Sequence, residues 1–277
     1  KNAGGRVFIT GQPAGFVGGW GHAYSANCDS GGATVDSGYD FPWYGANGVE
    51  PMLANTNRPG QVEGSAAGDH VKTAAAQTTL TADTSINSLA VMGSYDNNLG
   101  GHTLDIVSGG LMLTGGVYTV SNGFLTSGGK SLFLHKLGGA MTVSAVITGA
   151  TVSVTTAGSL TLSGTNTFGG DLHVGTGTLT LGGGNAAVRA ATVAPGAVLS
   201  LQHPGALPGS ATLNLLYDGE EYGKCSLGTN VTVLVLRLNG VSQEKADYTA
   251  ATHPNYFTGT GILKVVPPPK GTVVTFR

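Results

Sequence analysis

Asp29, Asp36 and Asp40, set among Ser, Gly and Asn, are the first residues whose type and spacing could do chemistry. Carboxylate and carbonyl oxygens in such a loop suit calcium, although the spacing fits no EF-hand pattern and turn-forming aspartate is the competing reading. Glycoside hydrolysis needs two carboxylates facing one groove at about 5–9.5 Å. The acids of the central region are Asp83, Asp96, Asp105 and Asp171, far apart in sequence. Asp83 and Asp105 could meet only if they lie in adjacent layers; otherwise Asp83 opens a corner and Asp105 sits on a solvated strand face. Lyase chemistry on a uronate needs clustered cations, and Arg6, Arg58, Arg189, Arg237 and Arg277 are scattered. The seven His show no H-x-x-x-H pair, and two cysteines, Cys28 and Cys225, make neither a zinc site nor a disulfide scaffold. These absences predict a protein that is not an enzyme.

One aromatic cluster stands out: Trp20, Tyr24, Tyr39, Phe41, Trp43 and Tyr44. Trp20, Tyr39, Trp43 and Tyr44 are the candidates for a sugar-stacking or partner-binding patch, since amphipathic rings dominate interface energetics. The competing reading is a cap core that seals the first coil. Asn230-Val-Thr232 is a glycosylation sequon by pattern.

The elements that must hold these residues follow from composition. Among 277 residues there are 47 Gly, 10% charged and 40% hydrophobic, which is too apolar for a disordered chain. Thr, Ser, Val and Leu in short alternations, divided by glycine corners, predict an all-β chain with many tight turns. A net charge of −2 offers no basic field for nucleic acid, and no apolar run reaches membrane-spanning length. The chain opens at Lys1 without a signal peptide and reads as a piece of a longer protein.

Gly158-Ser-Leu-Thr-Leu-Ser-Gly164 recurs as Gly177-Thr-Leu-Thr-Leu-Gly-Gly183 and again at Ala197-Val-Leu-Ser-Leu201, a period near 20 residues. Such a period matches one coil of a right-handed parallel β-helix, with Leu160 and Leu162 inward and Thr161 outward. The predicted organisation is an irregular aromatic-rich N-terminal cap or first coils (1–77), parallel β-helix repeats (78–216), closing coils (217–266), and a proline spacer with a terminal strand (267–277).

Leu80-Thr-Ala-Asp-Thr-Ser-Ile-Asn-Ser-Leu89, Leu99-Gly-Gly-His-Thr-Leu104 and Leu160-Thr-Leu-Ser-Gly-Thr-Asn-Thr-Phe-Gly-Gly170 resemble bacterial surface proteins carrying autotransporter-associated β-strand repeats. The Asn166–Phe168 turn between paired Leu-Thr-Leu strands carries most of the likeness. Phe257-Thr-Gly-Thr-Gly-Ile-Leu263 is similar to the segment that closes such arrays. The resemblance implies a β-solenoid, secretion and a bacterial surface location, and says little about activity.

A stack of this kind would separate Cys28 from Cys225 by roughly 30–40 Å, whereas a disulfide spans about 4.4–6.8 Å between Cα atoms. The cysteines are therefore free, bridged between chains, or joined by a flank that folds back. Beyond Pro267-Pro-Pro269, a strand with Val273, Val274 and Phe276 could add to the edge of a second copy, with Val7-Phe-Ile9 as receiver, or lead into a further domain. The expected function is an extracellular structural solenoid of a bacterium, a stiff spacer or head-to-tail filament subunit. The alternatives are a carbohydrate-binding or adhesive module and, third, a polysaccharide-degrading enzyme. Expected partners are further copies, further domains of a longer chain, or glycans.

Overall fold

A computed structural model describes residues 10–11, 13–20, 23–25, 38–45, 48–52, 58–73, 75–149 and 151–266. The described residues form strands and turns with no helix, and the parallel strands stack as a β-solenoid of about 8 turns.

Apolar/polar alternation builds the strands, and glycine turns the corners. Leu160 pairs with Leu179 and Leu179 with Leu199; Leu162, Leu181 and Leu201 follow the same register, so the sequence period is the coil period. Thr161, Thr180 and Ser200 occupy the outward positions between them. On another face one inward column runs Val71, Leu89, Leu111, Leu134, Val154, Val174, Val193, Leu215 and Leu238, each opposite the next. Inward residues from Val62 to Val265 form one continuous apolar core. Each fully buried Leu or Val contributes about 1.5–3 kcal/mol, and a single coil could not bury them without its neighbours.

Where the alternation breaks, the strand bends. Thr103–Leu113 bends through Ser108-Gly109, where Gly109 takes a left-handed φ of 78° and a side chain would strike the Ser131 carbonyl. The apolar stretches on either side, Leu104–Ile106 and Leu111–Leu113, thus belong to one bent element. The parallel stack already begins at His70–Thr73 and continues through the closing segment to Phe257–Gly259 and Leu263–Val265.

Near the N-terminus, Gly15–Phe16, Pro42–Gly45 and Gly48–Pro51 form a small antiparallel sheet, and Ala23–Ser25 pairs with Gly38–Asp40. Phe41, Met52, Ala90 and Met112 make a second core between this unit and the solenoid. Ala90, Met112 and His135 stack in register on the outer face, so the aromatic unit lies along the side of the early coils.

Both ends of the stack carry other covers. At the N-terminal edge of His70–Thr73, Arg58 Nε donates to the His70 carbonyl (2.8 Å) and Lys72 N–H donates to the Pro59 carbonyl (3.0 Å). Gln61 and Gln77 clasp the next stretch. Gln61 bonds the Ala76 carbonyl and Thr78 N–H, while Gln77 bonds Val62 N–H and the Gly60 carbonyl. At the other end the chain reverses. Val241–Ser242 pairs antiparallel with Val235–Leu238, and Asp247–Tyr248 with Leu263–Val265, each occupying the edge where a further coil would add.

Candidate functional site

The docking of the N-terminal unit decides the fate of most predicted site residues. Asp40 is buried, with Oδ2 2.7 Å from Arg58 Nη1 and 3.3 Å from Lys72 Nζ, while Oδ1 accepts from Phe41 N–H at 2.8 Å. The carboxylate expected to face calcium is thus neutralised by two cations of its own chain. That is a correction: Asp40 locks the N-terminal unit onto the first coil. Asp29 and Asp36 lie outside the described residues, and among the described residues no group of three His, Cys, Asp or Glu converges on a metal position.

The aromatic residues separate likewise. Phe41 is buried against Gly110, where a side chain would collide with Gly19 and the Phe41 ring. His135 Nε2 donates to the Gly19 carbonyl at 2.9 Å, pinning the same contact. Trp43 packs partly buried at the rim, whereas Trp20 remains 58% exposed. Tyr39 and Tyr44 lie on strands of this unit, but their side chains fall outside what is described.

One serine lies against a histidine: His70 Nδ1 is 2.8 Å from Ser88 Oγ. His70 Nε2 accepts from Asn87 Nδ2 at 3.2 Å, which places the imidazole proton on Nδ1 and makes the serine an acceptor. A serine nucleophile needs the opposite polarity, with its proton given to the imidazole. Burial and the nearby Arg58 lower the His70 pKa, and Phe16 covers the ring at a centroid distance of 4.5 Å. These groups hold coils together.

The carboxylates of the coils do not pair. Ser85, rather than Asp83, stands opposite Asp105. Asp83 works at its corner, accepting from Thr103 N–H at 2.8 Å with His102 Nδ1 3.6 Å away. Burial raises the Asp105 carboxyl pKa, Asp96 lies opposite Thr119, and Asp171 sits 3.8 Å from Arg189 on the surface. Cys225 is a free thiol buried between Leu199 and Phe257, and burial raises its pKa. A bridge to another chain would require that coil to open. Cys28, Val273, Val274 and Phe276 lie outside the described residues.

Two surface features remain. A shallow cavity of about 470 Å³ runs past Thr165, Asn185, Pro204, Pro208, Asn230 and Thr232, with the sequon at its rim and Asn230 Oδ1 accepting from Ile262 N–H. The second was missed in the sequence. Tyr217 and Tyr222 flank Asp218-Gly-Glu-Glu221 in a small hairpin, their rings parallel at 4.2 Å, and Tyr256 of the next coil meets Tyr222 edge-on at 4.8 Å. The Asp-Gly pair between two tyrosines was a legible turn signal; Tyr256 joins them only through stacking. No protein-family model, no curated protein and no solved structure matches the chain.

Proposed function

We propose that the chain is an extracellular structural element of a bacterial cell surface, a stiff spacer that carries its functional surfaces on its flanks. One observation carries this reading: an unbroken parallel core with most of its described end edges taken by the chain's own groups. An open strand edge is a template for pairing with another chain. Here Arg58 and Pro59 occupy one edge, and antiparallel Val241–Ser242 and Asp247–Tyr248 occupy two at the other. With these edges taken, a closed rod is favoured over the head-to-tail filament, which would have to extend from the outer edge of Phe257–Gly259, a strand that among the described residues pairs with Lys224–Leu227 alone. About 8 turns at ~4.8 Å each give a stack of roughly 40 Å. The repeat resemblance and the low charge support the surface location.

Light scattering and electron microscopy of the purified chain test this. A monomer with an elongated, rod-like scattering profile is expected. Fibres with a regular subunit repeat would overturn the closed-rod reading in favour of a polymer. Antibody labelling of intact cells of the source bacterium tests the location, and labelling that requires permeabilisation overturns it.

A further inference from the structure

The hairpin between Thr212–Leu215 and Lys224–Leu227 is larger than the corner requires. Elsewhere in the stack Gly182-Gly-Gly184 starts a turn with glycine alone, whereas here Tyr217–Tyr222 project outward and are held rigid. Gly223 N–H donates to the Leu216 carbonyl (2.7 Å), and Asp218 Oδ1 accepts from both Glu220 N–H (3.0 Å) and Glu221 N–H (2.9 Å). Gly196 N–H, in the preceding coil, donates to the Tyr222 carbonyl at 3.3 Å. Gly196 has a left-handed φ of 73°, and the Glu221 carboxylate lies where its side chain would be. Two neighbouring coils therefore fix the position of the hairpin.

Between the hairpin and Gly196–Val198 lies a half-open recess of about 280 Å³, lined further by Glu220, Glu221, Tyr222 and Lys224. Ligand pockets run from about 300 Å³ upward, so this recess holds something the size of a single sugar ring. Its side chains combine a half-buried aromatic ring with two acceptors and one donor head. A pyranose presents that combination in reverse, with apolar C–H faces and a rim of hydroxyls that both donate and accept. Two carboxylates against one ammonium leave the recess net negative, which disfavours an anionic ligand.

We propose that this recess binds a neutral sugar unit of a glycan, with Tyr222 as the apolar contact and Glu220, Glu221 and Lys224 as the hydroxyl partners. The site is separate from the aromatic N-terminal unit and does not depend on the rod being a spacer: hydrodynamics tests one, glycan binding the other.

The probe is an array of immobilised neutral glucans, mannans, galactans and chitin oligosaccharides beside anionic glycans, with the best binder taken into saturation-transfer NMR and calorimetry. Binding of a neutral glycan is expected. It should weaken about tenfold or more in Tyr222→Ala, the order seen when a contact aromatic is truncated, and comparably in Glu221→Gln. Glu221 is exposed, so that second variant keeps the fold and remains informative if Tyr222→Ala unfolds the hairpin. Trp20→Ala should leave binding unchanged. The proposal is overturned if no neutral glycan binds, if only anionic glycans bind, or if binding survives Glu221→Gln and is lost with Trp20→Ala.

Discussion

Asp40 illustrates how burial redirects an ordinary carboxylate. In a solvated loop it would serve calcium; 3% exposed beneath Phe41, it instead balances Arg58 and Lys72. Removing one partner of a buried charge group leaves the others uncompensated, at about 3–5 kcal/mol. Asp40→Asn should therefore loosen the N-terminal unit by that order, read as an earlier urea transition in the fluorescence of the half-buried Trp43. An unchanged midpoint would show the cluster to be energetically idle. His70 gives the pH dependence. Its folded pKa is lowered, first by burial and then by Arg58, with Asp40 and Asp69 opposing. The unfolded chain then binds the proton more readily, so the stability is fully present above the unfolded value of about 6.5 and is lost as pH falls toward the depressed folded value. Urea midpoints should drop between about pH 7 and 5, and His70→Gln should flatten the slope. Asp105, its pKa raised by burial, titrates in the opposite sense and is common to both proteins.

At the scale of elements, corners matter as much as strands. The Asn166–Phe168 turn is a buried ladder: Asn166 Oδ1 accepts from Ile147 N–H, and its amide donates to Asn185 Oδ1. Asn185 in turn donates to the Gly183 and Ala206 carbonyls. Four coils are joined where the third face narrows to a single bridge. Asn185→Ala should cost about 1–3 kcal/mol, because it leaves several buried polar groups without partners; thermal unfolding measures it, and a cost near zero would mean water replaces the amide. Gly110 is the counterpart at the docked flank. Gly110→Ala places a methyl group against Gly19 and Phe41, an overpacking of about 1–3 kcal/mol. Limited proteolysis should cleave the N-terminal unit faster while the coils resist; equal cleavage rates would show that the unit tolerates the methyl group by shifting.

For the whole molecule, stability belongs to neighbour contacts repeated along one axis, so an interior coil opens only with its neighbours. Cys225 reports on this. In a Cys28→Ser background its thiol should resist a disulfide reagent in the native rod and react fully once denatured. Fast native reaction would mean the coil between Leu199 and Phe257 breathes. The ends act at this scale as well: an edge already taken by the chain's own strand, as Val235–Leu238 is by Val241–Ser242, offers no template to another coil.

The architecture was legible in the chain because its cause is local and repeated. Leu160-Thr-Leu162 and its echoes impose a period of two along the strand and near twenty along the chain, and only a stack of coils satisfies both. Short strands such as Ala190–Val193 carry little signal, because small residues alternate weakly. The sites were far less legible. Asp40 meets Lys72, Gly19 meets His135 and Tyr222 meets Tyr256 across more than thirty residues, and nothing in their spacing announces it. Sequence by itself therefore determined the solenoid, since side-chain alternation and glycine corners act on nearest neighbours. Only the tertiary structure decided which charges are spent inside, which rings reach solvent and which edges stay closed, because those depend on contacts between segments that the coil count alone brings together.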